Sequence, residues 1–250
     1  MDVERLTRYL KGKMPHASEL GVVGLQRIAG GASRETYAFD AEWSENGERR
    51  SRPLIARRDP TGGLLKSERE REFRVLQVMH RAGLKVPEPL FVELDPSVMD
   101  RPFFIMHRLP GRVSPGAFAP EEPAELRAKV ADDFLSELAK LQSIDFRMHG
   151  LEWLGEPRDP LDPARVQAAH WRDIYERDRM GEHYPVMSAA FAWLVANPVA
   201  TERVTVVHGD FRSGNYLYDD NGIIAMLDWE MAHLGDPMED LGWASMLFWG

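Results

Sequence analysis

The sequence predicts an α+β chain whose first part is β-rich and whose second part is mainly helical. Three observations carry this. In residues 1–106, short apolar runs alternate with Gly, Asn and Pro punctuation. From residue 124 onward, apolar side chains recur at helical spacing. Between these helices and the end lies Val206-Val207-His208-Gly209-Asp210-Phe211-Arg212-Ser213-Gly214-Asn215, a strand and loop that lead through a hairpin to Asp228.

The elements follow in order. Residues 3–10 read as a helix, and the chain then enters a strand. Gly30-Gly31-Ala32-Ser33 interrupts it, and Thr36-Tyr37-Ala38-Phe39 resumes as a strand. Asn46-Gly47 marks a turn before Pro53-Leu54-Ile55-Ala56-Arg57-Arg58, a strand with Ile55 and Arg57 on one face. Arg58 beside them could be a solvated strand-end charge. Residues 64–82 form a helix with Leu65, Phe73, Leu76 and Met79 as its apolar positions, ended by Pro87 and Pro89. Residues 90–94 and 102–106 are two further strands. Pro110-Gly111 and the small residues of 112–123 follow.

A helix over 124–144 carries Leu126, Val130, Phe134, Leu138 and Leu141 as an apolar stripe. Residues 163–180 and 186–196 are further helices. Trp153, His170, Trp171, Tyr175 and Trp193 lie in this region; several could line an acceptor pocket, although aromatics at helical spacing are more often core. Val204-Thr205-Val206-Val207 is a strand. Tyr216-Leu217-Tyr218 and Ile223-Ile224-Ala225-Met226-Leu227 form a hairpin around Asp219-Asp220-Asn221-Gly222, where Asn-Gly signals a type I′ turn with φ > 0 at both residues. Asp236 as N-cap, Pro237 at N1 and Glu239 at N3 make an Asp version of a capping box for a last helix.

The loop and hairpin have the layout of phosphoryl transfer. A phosphoryl group leaving ATP needs an acceptor hydroxyl aligned by one carboxylate, and cations held against its oxygens by a carboxylate and an amide. Asp210 would face the hydroxyl. Asn215 and Asp228, brought together by the hairpin, would hold Mg²⁺, which needs few protein ligands. Singly, the three are also a turn residue, a cap and a strand-end acid; the case rests on their joint spacing. Arg212 could place positive charge near the transferring phosphoryl, or be a surface arginine. His208 has no second His or Cys at ligand spacing, so its expected role is to brace the loop. Asp240, in the first turn of the last helix, either hydrogen-bonds that loop or complements the helix dipole.

His208-Gly209-Asp210 with Asn215, Leu227-Asp228-Trp229-Glu230 and Gly235-Asp236-Pro237-Met238-Glu239-Asp240-Leu241 resemble the aminoglycoside phosphotransferase family. The likeness is greatest to the branch that includes kinase domains fused to acyl-CoA dehydrogenases. It covers most of the chain, with the specific motifs concentrated in residues 204–243. The resemblance implies a two-lobed protein-kinase-like fold: a nucleotide-binding N-lobe over 1–106, and a C-lobe over 107–250 with the catalytic loop and metal site. It implies that Gly30, Gly31 and Ser33 cover the nucleotide phosphates, although the turn departs from G-x-G-x-x-G and also reads as an ordinary hairpin turn. Arg57 would anchor phosphates where kinases generally carry Lys, paired with Glu72 or, failing that, Glu68. Met106, His107 and Leu109 would lie along an adenine-binding linker.

The implied function is an ATP- and Mg²⁺-dependent phosphotransferase that moves the γ-phosphate to a hydroxyl of a small molecule, with GTP as the alternative donor. Protein kinases place a long activation segment after the metal Asp. Here only residues 229–235 separate Asp228 from the next helix start, so the expected acceptor is a small hydroxylated molecule. A nucleotide-binding pseudokinase acting as a regulatory or interaction module is the other reading.

Composition agrees. The 250 residues are 44% hydrophobic, ample for a core, and the net charge of −9 argues against a nucleic-acid partner. There is no cysteine, which excludes disulfides, zinc thiolates and a cysteine nucleophile. No apolar run approaches a membrane span, and Met1-Asp2-Val3-Glu4-Arg5 lacks a signal-like apolar stretch, so a cytoplasmic protein is expected. Oligomeric state is not legible. The sequence stops at Gly250 in an apolar helix with Leu241, Trp243, Met246, Leu247 and Phe248. The resemblance implies further helices that shape the acceptor site, so the C-lobe is expected to be incomplete and the acceptor's identity is not written here.

Overall fold

Asp2 caps the first helix, its carboxylate accepting the Arg5 N–H at 2.8 Å. The structure, a computed structural model, describes residues 1–28, 35–58, 67–113, 116 and 118–246, with Ser67 and Glu68 described in backbone only. The chain forms two compact units: Met1–Phe134 with Gly214–Glu230, and Leu135–Ser213 with Met231–Gly250.

In the first unit, α1 (Val3–Lys13) precedes β1 (Ser18–Ile28), β2 (Glu35–Glu45) and β3 (Glu48–Arg58). Then come α2 (Ser67–Arg81), β4 (Pro89–Glu93), α3 (Pro96–Met99) and β5 (Phe103–His107). The strands form one antiparallel sheet in the order β1-β2-β3-β5-β4. Phe103 and Phe104 point to opposite faces. Tyr9 of α1 meets Phe103 edge-on with centroids 5.0 Å apart, and Phe73 of α2 lies 6.0 Å from Phe104, so the two helices cover opposite faces of the sheet.

The strands run further than their apolar stretches. The ladder between β2 and β3 continues to Glu45↔Glu48 because Asn46 (φ 53°) and Gly47 (φ 81°) both adopt the left-handed conformation of a type I′ turn. That tight turn keeps charged residues such as Arg49 and Arg50 in register although their end of the sheet is exposed.

The second hairpin, β7 (Tyr216–Asp219) with β8 (Gly222–Met226), is present, but its turn corrects the expectation. Asp220 and Asn221 are the central residues, and only Gly222 has positive φ, at 105°. The Asp219 carboxylate takes the Asn221 N–H at 2.7 Å, a local bond that holds Asn221 out of the left-handed region. Gly222 is required twice: a Cβ there would lie 2.3 Å from Asp133 Oδ2, the oxygen that accepts the Ile223 N–H.

The second unit takes in the C-terminal part of α4 (Ala124–Ser143), α5 (Asp162–Asp178), α6 (Pro185–Ala196), β6 (Thr205–Val207), β9 (His233–Gly235) and α7 (Met238–Ala244). The α4 stripe behaves as expected, with Val130, Phe134, Leu138 and Leu141 buried. The α6 aromatic does not: Trp193 is 62% exposed. β9 has no sequence signature of its own and exists through antiparallel pairing with β6, Thr205↔Gly235 to Val207↔His233. None of the described helices is long and apolar enough to cross a membrane.

Candidate functional site

Two constellations emerge, one in each unit. In the first unit, strand alternation puts Arg57 on the face of β3 that α2 covers, where its guanidinium bridges two acids. Nη1 donates to Glu72 Oε1 at 2.6 Å and Nη2 to Asp228 Oδ1 at 3.0 Å. The Arg57 side chain is 14% exposed, Glu72 fully buried and Asp228 34% exposed. Burial pulls the Arg57 pKa down, but Glu72, Asp228 and Glu230 outweigh it and leave the guanidinium above the ordinary arginine value.

Glu72 is therefore the partner on α2 among the described side chains; the side chain of Glu68 lies outside them. Glu72 is also held by Arg69, whose Nη1 donates to Oε2 at 2.8 Å with both side chains buried. Arg69 was not among the expected residues, although its place one helical turn before Glu72 was a usable signal. Arg58 corrects another expectation. It is buried, not solvated, and donates to Glu35 from both Nε (2.9 Å) and Nη2 (2.5 Å), with its guanidinium 5.4 Å from the Tyr37 ring centre.

Asn215 and Asp228 flank the β7–β8 hairpin. The Leu227 N–H donates to the Asn215 carbonyl at 2.8 Å, extending the hairpin ladder to the residue before Asp228. Asn215 is buried, and Asp228 has φ 65°, a left-handed backbone unusual for a residue with a side chain. Met106 and His107 belong to β5, paired with Ile55 and Leu54, and the His107 N–H donates to the Glu88 carbonyl at 2.9 Å. Leu109 follows, half-buried. Gly30, Gly31 and Ser33 lie outside the described residues.

In the second unit, β6 delivers the loop His208-Gly209-Asp210. Asp240 of α7 accepts the backbone N–H groups of His208 (2.8 Å) and Gly209 (3.0 Å). Burial, the larger effect, raises the Asp240 pKa, against the lowering influence of His208 and of these two N–H donors. Asp240 thus hydrogen-bonds the loop. His208 is fully buried, lies edge-on to Phe211 and accepts the Asp210 N–H on Nδ1 at 3.3 Å. Arg212 Nε donates to Asp210 Oδ1 at 2.8 Å.

The loop requires glycine at its bend. Gly209 has φ 83°, and a Cβ there would lie 2.7 Å from the Met231 carbonyl oxygen. Gly209→Ala is expected to cost at least about 2 kcal/mol, from left-handed strain plus the backbone clash. Urea unfolding of the mutant beside wild type checks this.

The capping box does not form as expected, because α7 begins at Met238 and Pro237, not Asp236, takes the N-cap position. Asp236 Oδ1 accepts the Met238 N–H at 2.8 Å, but the Glu239 carboxylate does not turn back toward Asp236. It lies instead beside His233 Nε2, 3.1 Å away.

The sequence profile of the phosphotransferase enzyme family matches residues 24–250. The chain belongs to this family. Acyl-CoA dehydrogenase family member 10 of Mus musculus is 30% identical over 250 residues, a match covering 98% of this chain and 22% of that protein. The chain thus spans under a quarter of that relative's length. A Ralstonia eutropha JMP134 protein assigned to the aminoglycoside phosphotransferases superposes with a TM-score of 0.74 at 24% identity, over 98% of this chain and 69% of the other. The ternary complex of APH(2'')-IIa with streptomycin and ATP gives a TM-score of 0.62 at 16% identity, over 96% of this chain and 74% of that one. At such identities these structures establish the fold, which is α+β and protein-kinase-like, as the sequence led one to expect.

Proposed function

We propose that this family member binds ATP with Mg²⁺ and transfers the γ-phosphate to a hydroxyl of a small molecule. The observation that carries the reading is the Glu72–Arg57–Asp228 chain. One buried guanidinium is pre-positioned by a buried acid and tied to a half-exposed carboxylate, beside a hairpin whose other end is Asn215. Such an arrangement suits phosphate recognition, because the cation is fixed before the ligand arrives.

Asn215 and Asp228 suit Mg²⁺ in donor chemistry, an amide oxygen and a carboxylate, both hard ligands. Among the described residues no group of three or more His, Cys, Asp or Glu gathers to hold a metal. When bound, Mg²⁺ would neutralise charge on the transferring phosphoryl. Arg57 would orient phosphate oxygens as a planar fork, and Asp210 would align the acceptor hydroxyl and take its proton. Arg212, already paired with Asp210, would keep that carboxylate oriented. Met106, His107 and Leu109 would lie along the adenine, with the His107 N–H already given to the Glu88 carbonyl, and residues 1–106 and 107–250 would act as nucleotide-binding and catalytic lobes. Family membership and the ATP-bound neighbour support the donor; the acceptor class follows from the short run between Asp228 and α7.

The test is a thermal-shift titration with Mg·ATP, Mg·GTP and metal-free ATP, followed by phosphate release against a panel of hydroxylated metabolites. Asp228→Ala is expected to abolish the metal-dependent part of the shift, and Arg57→Met to weaken ATP binding more than Arg58→Met, which would instead lower stability. Equal Mg·ATP stabilisation of wild type and Asp228→Ala would overturn the metal assignment. Binding without transfer to any acceptor would favour the pseudokinase.

A further inference from the structure

His233 is a closely held ionisable side chain outside these constellations. It lies on β9 directly opposite Val207, the residue before the His208-Gly209-Asp210 loop. Its Nδ1 is 2.9 Å from the Met231 carbonyl, which can only accept, so Nδ1 carries a proton. That same carbonyl faces Gly209. On the other side of the ring, Nε2 meets two groups: the Glu239 carboxylate of α7 at 3.1 Å and the amide nitrogen of Gln167 on α5 at 2.6 Å. Gly235 gives the ring its room, since a Cβ there would lie 3.1 Å from Nε2.

A neutral ring with its proton on Nδ1 would turn a lone pair toward the Glu239 carboxylate. An imidazolium donates to both Met231 and Glu239, and the Gln167 amide then turns over so that its oxygen rather than its nitrogen faces Nε2. Glu239 is the residue before Asp240, whose carboxylate holds the His208 and Gly209 N–H groups. The start of α7 is also tied from Gln142, whose Nε2 donates to the Pro237 carbonyl at 2.8 Å.

We propose that His233 is a positioning residue: as an imidazolium it clamps the start of α7 to β9 through Glu239 and Met231, and thereby sets Asp240 and the catalytic loop. The inference rests on the reading of Asp210 as the acceptor-side carboxylate. Deprotonation releases Glu239, Gln167 then donates to Nε2, and the start of α7 loses its tie to β9.

The groups facing the ring agree in sign. Burial, the largest effect, lowers the His233 pKa, but Glu239, the Met231 carbonyl and Asp240 outweigh it and leave it raised. His233 also lines a cavity of about 280 Å³ with Arg158, Asp162 and Glu156. Arg158 is neutralised there by Asp162, and Glu156 pairs with Arg147. A folded pKa above the unfolded one means the clamp is fully present below about pH 6.5 and is lost as pH rises through the folded value.

The experiment is an NMR titration of the full chain, following the His233 ring and the His208 and Gly209 amides from about pH 5 to 9. Wild type should titrate above about 6.5 with both amides moving at the same midpoint. Glu239→Gln should lower that midpoint, and His233→Asn, which keeps a donor toward Met231, should remove the amide response. In transfer assays, kcat should fall several-fold through the same midpoint with nucleotide KM unchanged, and His233→Asn should flatten the profile. Amides that ignore the ring titration, or an unchanged midpoint in Glu239→Gln, would overturn the proposal. These spectra judge the clamp even if no acceptor is found, so its failure is separable from failure of the phosphotransfer reading.

Discussion

Asp210→Asn is expected to lower phosphate transfer by about a hundredfold or more while leaving Mg·ATP affinity near that of wild type. The substitution keeps the side chain's shape but removes the charge that would take the acceptor proton. The backbone around it has independent supports: Asp240 holds the N–H groups on its N-terminal side, and His208 Nδ1 accepts the Asp210 N–H itself. Loss of turnover would therefore report chemistry rather than collapse. Arg212 would still find an oxygen on the introduced amide, so its geometry should persist. Single-turnover transfer beside a nucleotide titration separates the two quantities. Unchanged transfer would remove Asp210 from the mechanism; lost ATP binding would make it a structural or metal-side residue.

Glu72→Leu should have the largest effect on stability, about 3–5 kcal/mol, and should also weaken nucleotide binding. Glu72 is fully buried and accepts from both Arg57 and Arg69, so its removal takes a counter-charge from two guanidiniums at once. Arg69 is itself buried, its guanidinium 5.5 Å from the Phe104 ring centre, where water cannot replace the lost carboxylate. Glu72→Gln should be milder, because it keeps an acceptor for one arginine. Urea unfolding of both variants, paired with ATP titration, gives the comparison. A loss below about 1 kcal/mol for Glu72→Leu would mean that neither arginine depends on it.

Much of this is legible in the sequence. The β7–β8 hairpin followed from turn chemistry and apolar runs, and Arg57 with Glu72 from a kinase-like pattern. What escaped notice depends on partners distant in sequence. β9 is three residues with no alternation to read, and it forms because β6 lies alongside. Arg58 looks like a free strand-end charge until Glu35, across the β2–β3 ladder, is seen to meet it. The same Asn-Gly pair makes a type I′ turn at Asn46-Gly47 and not at Asn221-Gly222, because Asp219 captures the second Asn locally and Asp133 presses on its Gly. Glu239 satisfied a capping rule in sequence and chose His233 in space.

Arg57 closes one route of control. A lysine at that place could be acetylated, silencing the charge and with it the proposed phosphate site, and its amine could be captured by acylating nucleotide analogues. A guanidinium held between Glu72 and Asp228 is protonated at every physiological pH and is no nucleophile. Lysine-directed chemistry would therefore find no target at this strand position, and labelling reagents that depend on an amine beside the phosphates should leave Arg57 unmodified.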